Sequence, residues 1–256
     1  MNKPIHDWHQ QRIWLIGASS GIGAALAQHA LAAGADVILS ARRVDRLNQI
    51  AGKHPAAYVV PLDVLDTPAW GVAYQHILDQ IGPIDLIVFC AANYRPERCW
   101  DVDSAVAEST LRINLGSVYT GLATILPDML SRGRGGIALI ASVAGYMGLP
   151  NASVYGPSKA ALINLAEILY SDLHPKGLNV YVVNPGFVKT ELTAKNSFVM
   201  PALQTPQQAA NAIWKGMSAG NFEIHFPHRV TQVMKFVQLL PYRWRFALLA
   251  RFLKIS

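Results

Sequence analysis

The chain has 256 residues, of which 52% are hydrophobic and 15% charged, and its formal net charge is +6. This apolar content can form a large core, which argues against disorder except at the ends. Cys90 and Cys99 do not have CxxC spacing, so we expect reduced thiols in a cytoplasmic protein. Residues 1–11 lack the apolar core of a signal peptide. The two long uncharged stretches, residues 13–35 and 135–158, are both broken by Gly, Ser, Asn or Pro. We therefore expect neither export nor a transmembrane helix.

Strand and helix patterns alternate along the chain without a linker-like stretch, which predicts one domain. Strands are predicted at residues 12–16, 37–41, 57–62, 84–90, 136–141, 179–183 and 222–226. Helices are predicted at residues 22–33, 45–51, 67–81, 101–109, 111–131, 153–173 and 206–218, with polar Asn114 interrupting the register of the fifth. Buried strands separated by helices indicate an α/β protein whose parallel sheet is covered by helices on both faces.

A glycine-rich turn joins the first predicted strand to the first predicted helix. Its residues are Gly17, Ala18, Ser19, Ser20, Gly21, Ile22 and Gly23. Glycines here let the backbone approach a pyrophosphate, whose charge is met by the helix N-terminus and the serine hydroxyls. The turn predicts a dinucleotide site, although an ordinary Gly-rich connection would show the same pattern.

The end of the second predicted strand carries two arginines, Arg42 and Arg43, and no acid. An acid at this position suits the ribose hydroxyls of NAD(H), whereas basic side chains suit the 2′-phosphate of NADP(H). We therefore predict a preference for NADP(H), with NAD(H) as the other usable cofactor. One of the arginines could instead be a solvated charge at a helix start. Asp63, just past the third strand, could accept a hydrogen bond from adenine or act as a helix N-terminal acid.

Tyr155 and Lys159 are four residues apart in a predicted helix and therefore share one of its faces. A cation beside a phenol lowers the pKa of the phenol, which can then exchange a proton with a carbonyl or an alcohol. Ser142 lies upstream, at the end of the fifth predicted strand. Taken singly, Ser142 could cap the strand end, and the other two residues could be surface neighbours.

In this order and spacing, the motifs resemble those of the short-chain dehydrogenase/reductase family over roughly the first 225 residues. The resemblance implies a single-domain, Rossmann-type doubly wound parallel sheet, with an NAD(P)-binding catalytic domain over residues 1–228. It also implies which residues hold the cofactor. Besides the glycine turn and the arginines, these are Asp63, Val64, Ala91, Tyr155, Lys159, Pro185, Gly186, Val188 and Thr190.

The resemblance further assigns catalytic roles to four residues. Tyr155 would be the general acid/base, and Ser142 would steady the substrate oxygen. Lys159 would hold the nicotinamide ribose and lower the pKa of Tyr155, while Asn114 would fix a water that links Lys159 to solvent. Asn114 could instead satisfy a backbone group. The Val188 backbone and the Thr190 hydroxyl would orient the carboxamide.

One segment departs from the family pattern. Where the family has Asn-Asn-Ala-Gly after the fourth strand, this chain has Phe89, Cys90, Ala91 and Ala92. The small alanines still permit close approach of the adenosine ribose, but the missing asparagine removes a side chain that ties neighbouring strands together. Cys90 is interpreted as a buried small hydrophobe and not as a nucleophile.

By the same resemblance, the substrate pocket lies between the end of the fifth strand and the loop after Gly186. Its expected walls are Met147, Leu149, Phe187, Phe198 and Met200. Walls of this kind favour a small apolar ketone, aldehyde or alcohol, although some of these residues could be ordinary core. Lys189 and Lys195 leave an anionic or acyl-carrier substrate open. The family resemblance also implies a homo-oligomer.

Residues 229–256 are predicted to form a basic amphipathic helical tail, either in the same domain or peripherally attached. No acid follows Glu223, and the predicted break is at Pro241. The expected apolar face is Val230, Val233, Met234, Val237, Tyr242, Phe246, Leu249 and Leu253. The basic residues are Arg229, Lys235, Arg243, Arg245, Arg251 and Lys254. The tail either lies on an anionic membrane surface or packs on the body or a partner subunit.

The main alternative to an enzyme is a cofactor-binding sensor or scaffold with little turnover. A nucleic-acid partner is not expected, because the basic residues are interleaved with Phe, Leu, Trp and Met. No metal site is expected either. His225 with His228 and His6 with His9 are the closest histidine pairs, and neither has an evident third ligand.

Overall fold

The computed structural model describes residues 1–196 and 200–252. Its sheet has seven parallel strands in the order β3-β2-β1-β4-β5-β6-β7. The strands are β1 Arg12–Ile16, β2 Asp36–Ser40, β3 Ala57–Val59, β4 Leu86–Phe89, β5 Gly135–Ile140, β6 Leu178–Pro185 and β7 Glu223–Phe226. Chain order reverses between β1 and β4, and a crevice opens beyond the carboxyl ends of the strands at such a switch point.

Helices cover both faces of the sheet. They are α1 Gly21–Ala32, α2 Val44–Ala51, α3 Thr67–Gln80, α4 Ser104–Leu111, α5 Ser117–Arg132, α6 Tyr155–Leu173, α7 Pro206–Ser218, α8 His228–Gln238 and α9 Tyr242–Phe252. Helices α1, α2 and α7 contribute to one buried core, and α3, α5 and α6 contribute to the other. Along β1, Ile13 and Leu15 face the first core while Trp14 and Ile16 face the second, because successive strand residues point to opposite faces. The predicted single-domain doubly wound fold is confirmed.

Most predicted bounds lie within two residues of those in the structure, and two elements differ by three residues at one end. Strand β3 ends at Val59 and not at residue 62, although the backbone N–H groups of Val60 and Leu62 still donate to the carbonyls of Leu39 and Ala41. The helix predicted at residues 101–109 begins at Ser104, where the Asp103 side chain accepts a hydrogen bond from the backbone N–H of Val106.

The predicted register interruption at Asn114 is a turn of π-helix. It spans Arg112–Gly116, between α4 and α5. One extra residue in a helical turn rotates the residues that follow, and such insertions recur at functional sites. Here the turn buries the Asn114 side chain, which is 1% exposed.

The N-terminal segment, for which no element was predicted, packs along the sheet and α7. The Asn2 side chain exchanges two hydrogen bonds with the backbone of Val180 in β6. The Trp8 ring lies 4.0 Å from that of Trp214, and its indole N–H donates to Ser218. These contacts bury Trp8 and Asn2.

The tail contains one helix before Pro241 and one after it, as predicted. The side of α8 that faces the protein, however, differs from the expected apolar face. Val233 is 62% exposed, whereas Thr231 is buried and accepts or donates a hydrogen bond with His225 of β7. The face that docks on β7 is therefore the Thr231 side of α8. Leu253 and Lys254 lie outside the described residues. Across residues 1–196 and 200–252, none of the helices has both the length and the apolar character needed to cross a bilayer.

Candidate active site

A cleft of about 440 Å³ opens at the carboxyl ends of the strands. Most of the site residues predicted from sequence line it. They are Gly17, Ser19, Ser20, Gly21, Ile22, Arg42, Arg43, Asp63, Val64, Ala91, Ser142, Tyr155, Lys159, Pro185, Gly186, Val188 and Thr190. Gly23 and Asn114 lie behind its walls. The segments after six different strands thus bring residues that are distant in sequence to one surface.

Two glycines of the turn are packed too closely against the backbone to carry a side chain. Gly17 has φ +90°, and a Cβ there would lie 2.5 Å from the backbone N of Ala91. A Cβ on Gly23 would lie 2.4 Å from the carbonyl oxygen of Gly17. Ser20 precedes α1 without capping it through its side chain, so the helix N-terminus opens on the cleft. A helix N-terminus beside two serine hydroxyls fits the pyrophosphate of a dinucleotide.

Arg43 connects the glycine turn to the loop that follows β6. Its guanidinium donates hydrogen bonds to the hydroxyls of Ser19 and Ser20, at 3.1 and 2.8 Å from Nη2. Its Nη1 lies 2.8 Å from a carboxylate oxygen of Glu191. Arg42 is exposed at the rim of the same cleft. The cleft wall at the end of β2 is therefore cationic, as the sequence predicts.

Asp63 lines the cleft and also organises its own turn. Its carboxylate accepts a hydrogen bond from the backbone N–H of Leu65 at 3.1 Å. The role of helix N-terminal acid belongs to Asp66, whose side chain accepts from the N–H of Ala69 at the start of α3. The role of helix N-terminal acid, one of the two considered for Asp63, is thus filled by Asp66.

The three polar side chains at the inner end of the cleft come from β5 and α6. Ser142 follows β5, and its hydroxyl accepts a hydrogen bond from the N–H of Ala144 at 3.1 Å. Tyr155 is the first residue of α6 and is hydrogen-bonded to Ser142. Lys159 lies one turn later, is 2% exposed, and donates from Nζ to the carbonyl oxygen of Ile140 at 2.8 Å. The structure therefore brings all three groups together.

The electrostatics of this group differ from the sequence expectation. Burial raises the pKa of the Tyr155 phenol above its usual range, Tyr94 and Cys90 raise it further, and the hydrogen bond with Ser142 opposes them. The Lys159 ammonium is bonded to the Ile140 carbonyl and lies 5.5 Å from the centre of the Tyr155 ring, over the ring face. Burial also lowers the pKa of Lys159 itself to about 8.

Asn114 forms hydrogen bonds with two segments, the loop after β4 and helix α6. Its Oδ1 accepts from the backbone N–H of Asn93 at 2.7 Å, and its Nδ2 donates to the Asn93 carbonyl at 3.0 Å. The same Nδ2 donates to the hydroxyl of Ser158, the residue before Lys159, also at 3.0 Å. Asn114 thus satisfies a backbone segment, as one sequence interpretation held. Its role in holding a water stays a prediction.

Tyr94 is a site residue that sequence reasoning missed. Its ring meets that of Tyr155 edge to face, with centroids 4.9 Å apart. Its hydroxyl donates to Asn196 at 2.7 Å, and its carbonyl accepts from the Lys195 ammonium at 2.7 Å. The loops after β4 and β6 therefore meet beside Tyr155. No local pattern signals such a contact, because the two loops are far apart in the sequence.

The expected substrate walls are not part of this cleft. Met147 is buried, and Leu149, Phe187 and Met200 are partly buried, but none of them lines the cleft. Phe198 lies outside the described residues. Their place in a substrate pocket stays a prediction.

Cys90 lines the cleft and is partly buried, so it is less enclosed than predicted. Burial raises the pKa of its thiol to about 11, and this keeps the thiol protonated at neutral pH. A protonated thiol is a poor nucleophile. Cys99 is exposed in the loop that follows β4.

The sequence matches the family model of the short chain dehydrogenases over residues 11–198. The protein belongs to the short-chain dehydrogenase family. It is an NAD(P)-dependent short-chain dehydrogenase/reductase, as the motifs predict. The dehydrogenase is 32% identical to an uncharacterised oxidoreductase from Myxococcus xanthus, over 88% of this chain and 90% of that one. It is 31% identical to the ketoacyl reductase HetN from Nostoc sp., over 83% of this chain and 77% of that one.

Solved short-chain dehydrogenases have the same fold. One from Streptomyces avermitilis superposes with a TM-score of 0.83 at 24% identity, covering 96% of this chain and 98% of that one. One from Sphingobium yanoikuyae, solved with NADPH, has a TM-score of 0.79 at 22% identity over 87% and 91% of the chains. One from Burkholderia phymatum, solved with NAD, has a TM-score of 0.81 at 20% identity over 90% and 94%. At these identities the likeness shows the fold alone.

Proposed function

We propose that the dehydrogenase interconverts an apolar ketone or aldehyde and the corresponding alcohol, with NADP(H) as its preferred cofactor. The observation that carries this proposal is the grouping of Ser142, Tyr155 and Lys159 at the inner end of a cleft whose outer end fits a dinucleotide. Its polar wall offers a helix N-terminus, two serine hydroxyls and the two arginines.

In the proposed reaction the bound nicotinamide supplies or accepts the hydride. Tyr155 donates its hydroxyl proton to the substrate oxygen during reduction and takes the proton back during oxidation. Ser142 hydrogen-bonds the same oxygen and, through its bond to Tyr155, favours the phenolate that forms. The Lys159 ammonium stabilises that phenolate electrostatically and binds a ribose hydroxyl, while Asn114 holds the residue next to it in place.

The preference for NADP(H) is proposed from this chain's own residues, since similar structures hold NADPH in one case and NAD in another. Arg42 and Arg43 both line the cleft after β2, where an NAD-preferring site would place an acid. Replacing both by Ala is expected to weaken NADPH binding about tenfold or more and NADH binding much less. Arg46→Ala is the matched control, because Arg46 is exposed on α2 outside the cleft. Equal losses for the two cofactors would refute the assignment.

An apolar carbonyl substrate is favoured by the apolar residues that line the cleft together with Tyr155, among them Ile113, Ile140 and Leu192. The name of the Nostoc relative, a ketoacyl reductase, supports a ketone. Lys189 and Lys195 also allow an acyl-carrier substrate, although Lys195 is occupied by the carbonyl of Tyr94.

The function is tested by following NADPH oxidation with a panel of apolar ketones, aldehydes and ketoacyl thioesters. Tyr155→Phe is expected to reduce kcat by about 10²- to 10⁴-fold, because the proton donor is lost, and to leave the Kd for NADPH nearly unchanged. Turnover in Tyr155→Phe equal to that of the wild type would falsify the mechanism. NADPH binding without turnover of any carbonyl would favour a cofactor-binding sensor or scaffold.

We further propose that the protein works in the cytoplasm as a homo-oligomer and that residues 229–256 attach it to an anionic membrane surface. Three apolar side chains in α8 or directly after it are exposed to solvent: Val233, Phe236 and Leu239 are 62%, 65% and 82% exposed. Arg229, Arg243 and Arg251 are exposed as well. Lys235 and Arg245 contribute less than the sequence suggests, because Lys235 pairs with Glu223 and Arg245 donates to the carbonyls that end α8.

Co-sedimentation with vesicles containing phosphatidylglycerol tests this attachment. Wild type is expected to pellet with anionic vesicles and not with phosphatidylcholine alone. Phe236→Asp with Leu239→Asp should abolish pelleting. Val72→Asp is the control, because Val72 is equally exposed on α3, away from the tail. Pelleting of the double variant like the wild type would reject the membrane proposal. Its conversion to a smaller oligomer would instead identify the face as a subunit contact.

A further inference from the structure

Arg43 has several partners within the protein. Its Nη2 donates to Ser19 and Ser20, its Nε donates weakly to Ser19 at 3.3 Å, and its Nη1 pairs with Glu191. A 2′-phosphate that binds Arg43 must take over donors that now serve these groups. Among them Glu191 is the only anion, so it is the partner that competes with a phosphate by charge.

Glu191 is held in this position by its own loop. The hydroxyl of Thr193 donates to the carbonyl of Val188 at 2.6 Å and accepts from the N–H of Thr190 at 3.0 Å. The loop also touches the glycine turn, since a Cβ on Gly21 would lie 2.9 Å from the side chain of Thr190. The backbone on both sides of Glu191 is thus fixed, which keeps its carboxylate within reach of Arg43.

We propose that Glu191 is a specificity-determining residue that competes with the 2′-phosphate of the cofactor for Arg43. The inference rests on the proposed preference for NADP(H). The carboxylate offsets the charge of the guanidinium and repels a phosphate that approaches it. Glu191 thus limits how strongly the cleft discriminates NADP(H) from NAD(H), and its removal strengthens the discrimination.

Two nucleotides that differ only in the 2′-phosphate, 2′,5′-ADP and 5′-AMP, are the probes for this competition. Calorimetric titration of Glu191→Gln is expected to show about threefold to tenfold tighter binding of 2′,5′-ADP than wild type, because a half-exposed ion pair and a phosphate repulsion are both removed. The Kd for 5′-AMP should change less than about twofold, because this nucleotide has no 2′-phosphate and an exposed substitution by itself has a small effect. Asp45→Asn is the matched control. It removes the same charge from an exposed position two residues beyond Arg43 and should leave both Kd values unchanged.

A second pair of variants shows whether Glu191 acts through Arg43. In an Arg43→Ala background, Glu191→Gln should improve 2′,5′-ADP binding by less than about twofold, because only the screened direct repulsion of the phosphate remains, and should leave 5′-AMP binding unchanged. An equal gain for 2′,5′-ADP and 5′-AMP, no gain for either, or weaker binding in Glu191→Gln would overturn the inference. Wild-type preference for 5′-AMP would instead overturn the NADP(H) assignment. A wild type that prefers 2′,5′-ADP, combined with an inert Glu191→Gln, would refute the competition alone.

Discussion

The two ends of the cleft hold their cations in opposite ways. At the outer end, the side chain of Arg43 is 45% exposed and is paired with Glu191, which is 60% exposed. At the inner end, Lys159 is 2% exposed, and its ammonium is bonded to a backbone carbonyl and to no carboxylate. Solvent weakens the first interaction, whereas the second has lost its hydration. The outer end is thus suited to adjusting affinity, and the inner end to shifting protonation.

Replacing Lys159 should have the largest effect expected from this contrast. Lys159→Met is expected to reduce kcat by about 10²- to 10³-fold, because the phenolate that forms on Tyr155 loses its buried cation. Arg43→Ala should leave kcat at saturating cofactor nearly unchanged. Steady-state rates at saturating NADPH measure both. A kcat loss in Arg43→Ala as large as that in Lys159→Met would show that the two ends are not separate.

The pH dependence of folding should expose the cost of burying Lys159. Burial lowers its pKa from about 10.5 to about 8, so between these values the unfolded chain keeps a proton that the folded protein has lost. The free energy of unfolding should therefore rise with pH in this window, relative to Lys159→Met, by about 3 kcal/mol in total.

Urea unfolding of wild type and Lys159→Met at pH 7, 8, 9 and 10 measures this difference. The free energy of unfolding of the wild type should increase steadily, relative to that of Lys159→Met, as the pH rises through the window. Taking the difference removes most of the opposite contribution of Cys90, because burial, the largest cause, raises the pKa of its thiol in both proteins and Lys159 lowers it by less. A difference that stays constant with pH would mean that Lys159 keeps its charge when buried.

A smaller effect is expected on stability alone. Asn114→Ala removes three buried hydrogen bonds and should cost about 1–3 kcal/mol of unfolding free energy. Arg43→Ala breaks only exposed contacts and should cost less than about 1 kcal/mol. Thermal or urea unfolding at neutral pH compares the two. Equal losses would show that the exposed Arg43 contacts stabilise the fold as much as the buried ones.

Local patterns in the sequence predicted the fold, and the cleft residues were predicted from those patterns together with the family resemblance. Strand and helix periods placed every strand, and nearly all predicted cofactor residues follow the carboxyl ends of strands, which meet at one edge of a parallel sheet. Tyr94 and Glu191 were missed because their partners come from other loops, brought close only by the folded sheet. The pKa direction at Tyr155 also differed, since burial depends on packing in three dimensions and not on the spacing of residues.

The two thiols differ enough to be distinguished chemically without any substitution. Cys99 is exposed in the loop that follows β4, whereas the thiol of Cys90 is partly buried and has a pKa raised to about 11. Reagents such as maleimides react with the thiolate, so at neutral pH they modify Cys99 first. The native chain therefore carries a single-site attachment point for a fluorophore, on the same loop as Tyr94.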